Sequence, residues 1–218
     1  MKTRLIPKLG KKNVHELAEA FISDTLTVVG QAYWAKAILA TTGTVTLSSQ
    51  YSVWVWRAAE IDRKEVGIWP QGAGTLGAKI ERILQRCIET YGGGMVLGSD
   101  SPGLPYHILT NARRALLDAD AVIGPSFDGG FYLLGLNQCP EGLLEDLPWS
   151  SDKTFEATKE RLESHGLSVV VLEHFWDVDD PLDWEALWHR KNTGNLKAKA
   201  TSEAMDSIGE TFDINDTV

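Results

Sequence analysis

Met95-Val96-Leu97-Gly98-Ser99-Asp100-Ser101-Pro102 decides the fold. The apolar run Met95-Val96-Leu97 reads as a buried strand, and Gly98 and Pro102 bound a tight loop that sets the Asp100 carboxylate just past the strand's end. Open α/β sheets bind ligands at that carboxyl edge. A carboxylate there suits a hard cation such as Mg²⁺, with coordination positions left for phosphate oxygens and water. The competing reading is a turn in which Asp100 caps the helix that follows.

Outward from this loop the chain alternates helices and strands. Ile80, Ile83, Leu84, Cys87, Ile88 and Tyr91 recur at helical spacing until Gly92-Gly93-Gly94 stops them before the Met95 strand. Beyond the loop, Tyr106 to Leu117 predicts a helix that leads into Ala121-Val122-Ile123-Gly124. Strand, loop, helix, strand is the βαβ order of a mostly parallel sheet. Val14 to Val29 predicts an earlier helix, with strands at Ala37 to Thr42 and Glu65 to Trp69 and an untyped β-rich or amphipathic stretch at Val53-Trp54-Val55-Trp56. Downstream, Asp128-Gly129-Gly130 opens into a strand at Phe131 to Leu136, followed by a helix (Lys153 to His165), a strand (Ser168 to Leu172) and a last helix (Pro181 to Arg190). After Arg190 the sequence turns polar and small, so one domain is expected over 1–190 and a flexible tail over 191–218.

Composition narrows the classes. A chain of 218 residues is long enough for one domain with a substantial core. A formal net charge of -9 and a pI near 5.0 disfavour a nucleic-acid partner, which calls for a basic face. Two cysteines, Cys87 and Cys139, give neither a disulfide framework nor CxxC metal spacing, so a reducing cytoplasm is the simplest setting. No apolar stretch is long enough to span a bilayer and Met1-Lys2-Thr3-Arg4 does not lead into a signal-peptide apolar region, so no membrane partner is expected. The five histidines are too scattered for a metal cluster.

Several landmarks then occur in one order: Lys2-Thr3-Arg4-Leu5, Trp69-Pro70-Gln71-Gly72, Gly98-Ser99-Asp100-Ser101-Pro102, Gly124-Pro125-Ser126-Phe127-Asp128-Gly129-Gly130, and Trp176-Asp177-Val178-Asp179-Asp180-Pro181. This ordered set, from about Lys2 to Leu187, closely resembles the DUF2064 family, also described as radical-SAM/selenodomain-associated transferase 1. The resemblance implies the GT-A, nucleotide-diphospho-sugar transferase fold: an α/β domain with a mostly parallel sheet flanked by helices, similar to molybdopterin-cofactor and phospholactate nucleotidyltransferases. Family members begin with an apolar strand before Lys-Thr-Arg-Leu, so this chain is expected to lack the usual first strand, and with it part of the nucleotide pocket. Self-association is a plausible consequence. Thr75 stands where the family often has aspartate, and Ser101 where it often has cysteine.

The resemblance also assigns residues. It sets Lys2, Arg4 and Lys8 beside the phosphates of a nucleotide, where cations neutralise charge, with Lys2 and Arg4 in catalytic roles. Gln71 and Gly72 would lie against the base, the amide offering donor and acceptor. Asp100 and Asp179 would hold Mg²⁺ or Mn²⁺, although the Asp177–Asp183 stretch reads equally as the cap of the last helix. Asp128 would orient or deprotonate an acceptor hydroxyl, with Gly129 and Gly130 presenting amides, or the three form a hairpin turn. Trp69 and Trp149 border these motifs and could stack on a base or sugar. The expected function is a metal-dependent transferase with a nucleotide or nucleotide-sugar donor and a small-molecule acceptor; the alternative is an inactive GT-A-like remnant that binds or scaffolds.

Overall fold

The computed structural model describes residues 2–42 and 66–211. The Val53–Trp56 stretch lies outside the described residues.

Local chemistry sets the elements around the Asp100 loop. Helix α2 (Leu76–Tyr91) starts where the Thr75 hydroxyl accepts from the Ala78 amide at 3.3 Å. It stops at Gly92, whose φ of 82° is readily reached only without a Cβ, and whose amide closes on the Ile88 carbonyl. Strand β3 (Gly94–Leu97) follows at once. Gly94 is required there, because a Cβ would come 2.6 Å from Cβ of Cys87. Next come α3 (Tyr106–Asp118), β4 (Ala121–Pro125) and β5 (Phe131–Leu136), then α4 (Thr154–Ser164), β6 (Val169–Val171) and α5 (Pro181–Asn192).

Strand order in the main sheet is β3-β5-β4-β6. β4 and β6 are parallel, and β5 runs antiparallel to both β3 and β4. Alternation sends Ile123 and Leu134 to one face, with Leu84, Leu143 and Leu162, while Val122 and Leu133 meet Ile108 and Leu109 on the other. All nine are buried, each Val, Leu or Ile contributing roughly 1.5–3 kcal/mol. The result is a sheet between helical layers with the carboxyl ends of β3, β4 and β6 on one edge, as βαβ logic predicts.

Among the described residues the strands fall into two sheets, and the pair that ends before Gln71 does not join the strands that end before Ser99 and Gly124. β1 (Ile38–Thr41) and β2 (Gly67–Pro70) form a separate parallel pair. Among the described residues neither β1 nor β3 has a second partner, and every residue of each is half-buried. Helix α1 (Ile6–Val29) spans the two sheets: Leu26 packs with Leu39 and Ile68, whereas Val28 and Val29 pack against the core cluster of Ile108 and Leu133 that Met95 and Leu97 also cover.

The N-terminal helix starts earlier than the Val14–Val29 reading, and the C-terminal end departs from the expected tail. The N-terminal segment is folded, since a 3₁₀ turn (Thr3–Leu5) and α1, kinked at Gly10, bury Leu5 and Leu9. The expected tail is corrected over Lys199–Thr211, which forms helix α6. Ala200, Ala204, Met205 and Ile208 are buried, Met205 and Ile208 in one core cluster with Leu17, Phe21 and Trp184. Asp24 of α1 accepts from the amides of Ala200 (3.0 Å) and Thr201 (2.8 Å), closing the first turn of α6.

Candidate active site

Three loops converge at the carboxyl edge. Asp100 follows β3, Asp128 sits in the β4–β5 hairpin, and Asp177 and Asp179 follow β6. The β4–β6 pairing continues past the strands, with Leu172 donating to the Ile123 carbonyl at 2.9 Å and Phe175 to that of Pro125 at 3.1 Å. Val178, fully buried, then donates to the Asp100 carbonyl at 3.0 Å, so its acidic neighbours share the opposite side of the chain.

Oxygens of Asp128, Asp177 and Asp179 lie within 4.8 Å of one another. Burial first, and then the charges of Asp128 and Asp179, push the Asp177 carboxyl up to about 7, against an opposing pull from Lys2. The Lys2 side chain is only 5% exposed, and its ammonium stands 2.9 Å from Asp100 Oδ2 and 2.5 Å from Asp179 Oδ1. Lys2 therefore joins the Asp100 loop to the late acidic segment across 177 positions of sequence.

Asp128 Oδ1 accepts from the Ser126 hydroxyl at 2.5 Å and the Gly130 amide at 2.9 Å. The Gly129 amide donates to Ser126 and its carbonyl accepts from Phe155. The amides of Gly129 and Gly130 thus close the hairpin turn, and the expectation that they face a ligand is corrected. Gly129 has φ 86°, and a Cβ there would meet the Asp152 carbonyl at 2.1 Å.

Other expected residues stand apart from this group. Lys8 pairs with Glu185 at 2.6 Å, and Arg4 is exposed on the 3₁₀ turn. Gln71 belongs to the two-stranded sheet: its amide donates to Thr41, its side chain to the Ala40 carbonyl at 3.2 Å, and its own carbonyl accepts from Arg82. Gly72 is packed under that guanidinium. Trp69 lies beneath Arg86 at 3.9 Å and beside Tyr91, and Trp149 packs edge-on to Phe131. Asp180 and Asp183 form a capping box, so the helix-cap reading holds for them while Asp177 and Asp179 remain in the cluster. Asp177 was missing from the residues expected of the site. Its signal was Asp177-Val178-Asp179, one apolar residue flanked by two carboxylates.

This arrangement belongs to a known class of fold. A crystal structure from Desulfovibrio desulfuricans G20, provisionally described as a nucleotide-diphospho-sugar transferase, is 25% identical and aligns with a TM-score of 0.79, covering 97% of this chain and 91% of that one. The fold is that of the nucleotide-diphospho-sugar transferases, as the sequence motifs imply. The chain belongs to the DUF2064 family, described as uncharacterized proteins conserved in bacteria, whose model matches residues 25–151. Asp100 and Asp128 lie inside the matched residues; Lys2, Asp177 and Asp179 lie outside them. No curated protein matches the chain. No helix among the described residues is long and apolar enough to cross a membrane.

Proposed function

We propose that this chain is a metal-dependent transferase using a nucleotide-activated donor, of glycosyltransferase or nucleotidyltransferase type. The convergence of Asp128, Asp177 and Asp179 beside Lys2 and Asp100 carries the reading. An all-oxygen donor set of clustered carboxylates fits a hard divalent cation, and the raised Asp177 carboxyl reflects its burial first and then the grouping of these charges. Asp128, Asp177 and Asp179 would hold Mg²⁺ or Mn²⁺, with Asp100 adjoining. When bound, that ion supplies positive charge against the phosphate oxygens of the donor.

The chain's own groups do the rest. Lys2 and Arg4 neutralise donor phosphates from the N-terminal turn. Asp128, with Oδ1 held by Ser126 and Gly130, would orient an acceptor hydroxyl beside the ion it helps to hold. Gln71 and Gly72, just past the carboxyl end of β2, are the residues proposed for the donor base. The relative's described substrate class, a nucleotide-diphospho-sugar, favours a nucleotide-sugar donor with a small-molecule acceptor.

Titration with nucleoside triphosphates and nucleotide-sugars, with and without Mg²⁺, tests this reading. Expected are Mg²⁺-dependent binding and release of a nucleotide or pyrophosphate with a suitable acceptor. Binding without turnover over a broad acceptor panel would favour the non-catalytic module, and no binding would refute the reading.

A further inference from the structure

The acidic cluster already has a cation within it. Lys2 is almost wholly buried, and its placement is imposed by the fold: the Leu5 amide donates to the Lys2 carbonyl at 3.1 Å, and Leu5 is fully buried in the cluster that contains Val178 and Trp184. Its ammonium contacts Asp179 Oδ1, and Asp179 is also one of the three residues whose carboxylate oxygens lie within 4.8 Å of one another, close enough to share a divalent ion. One carboxylate thus belongs to two cation positions. An ammonium and a divalent ion sharing it would repel each other at short range in a partly desolvated site.

We propose, building on the metal-binding reading above, that Lys2 is a displaceable internal cation: it neutralises Asp100 and Asp179 in the empty site, a divalent ion displaces it from Asp179, and the released ammonium becomes available to phosphate. The empty site is thereby kept from accumulating uncompensated negative charge. Anion binding by Lys2 is coupled to metal binding, because the paired ammonium is committed to carboxylates. Lys2 acts here as a positioning residue on the metal ligand Asp179. A permanent structural ion pair would show neither the exchange nor the coupling.

Two measurements decide it. Calorimetric titration with Mn²⁺ alone should give about tenfold tighter binding to Lys2→Met than to the parent, since a competing charge has been removed. In the unaltered protein, acylation of Lys2 by an amine-reactive reagent, followed by mass spectrometry, should be slow without metal and at least threefold faster with saturating Mn²⁺, roughly what loss of a buried ion pair entails. Lys8, paired with Glu185 in a more exposed setting, is the internal reference. Equal or weaker Mn²⁺ binding by Lys2→Met, or Lys2 acylation unaffected by Mn²⁺ that binds, overturns the displacement and leaves the metal reading intact. Absence of Mn²⁺ binding in both proteins overturns the metal reading as well. Should Lys2→Met fail to fold, the acylation measurement decides alone.

Discussion

The Val178 amide donates to the Asp100 carbonyl at 3.0 Å, tying the segment after β6 to the loop after β3. Because Val178 is fully buried in the cluster formed by Leu5, Leu17 and Trp184, this contact anchors the acidic edge in the core. Asp177 and Asp179 inherit their positions from a packed residue between them. A site built in this way is held before any ligand arrives, which reduces the ordering cost of binding.

The Asp177 carboxyl makes stability depend on pH. Its folded value near 7 exceeds the ordinary 3.8, so the folded chain retains a proton that the unfolded chain releases. That contribution is complete below about pH 4 and is lost as pH rises through about 7. Asp177→Asn should therefore show a shallower fall in Tm between about pH 5 and 8, and should equal or exceed the parent at pH 8. Thermal unfolding across this range checks it, and parallel curves for the two proteins would contradict it.

Capping and the proposed metal holding fall to adjacent residues. Asp180 Oδ1 accepts from the Leu182 amide at 2.8 Å and the Asp183 amide at 3.1 Å. Asp180→Ala should cost about 1 kcal/mol in denaturant unfolding. Mn²⁺ affinity should stay within about twofold of the parent, since α5 capping leaves the acidic cluster in place. A large loss of metal binding would assign Asp180 to the cluster.

The C-terminal helix depends on a carboxylate far away in sequence. Asp24→Ala leaves the Ala200 and Thr201 amides without their acceptor and should cost about 2 kcal/mol. Hydrogen exchange should accelerate across Lys199–Thr211 ahead of the β4 and β5 amides. Uniform acceleration through the domain would show that α6 unfolds only with the whole.

The main-sheet elements were legible because their signals are local. Gly92-Gly93-Gly94 ends a helix, and Met95-Val96-Leu97 has the apolar density of a buried strand. Helix α6 was not, because Ala200 and Ala204 give weak apolar periodicity and the partner that closes its first turn, Asp24, is 176 positions away. The split between β1 and β3 follows from pairing partners, which periodicity does not encode. At the site, Asp100, Asp128, Asp179 and Lys2 were named, but the Lys2 pairing with Asp100 and Asp179 was not readable, since two loops and the N-terminus meet only in the fold. Lys8 misled for the same reason, its partner Glu185 lying on a distant helix.

The acidic edge is proposed to hold a divalent ion for a nucleotide donor, and one calorimetric titration tests this most directly. Mg²⁺ with a nucleotide that binds the parent should bind Asp179→Asn at least tenfold more weakly, as loss of a metal-holding carboxylate implies. Asp118→Asn, at the exposed carboxyl end of α3, should match the parent. Equal affinity for Asp179→Asn and Asp118→Asn would contradict the account.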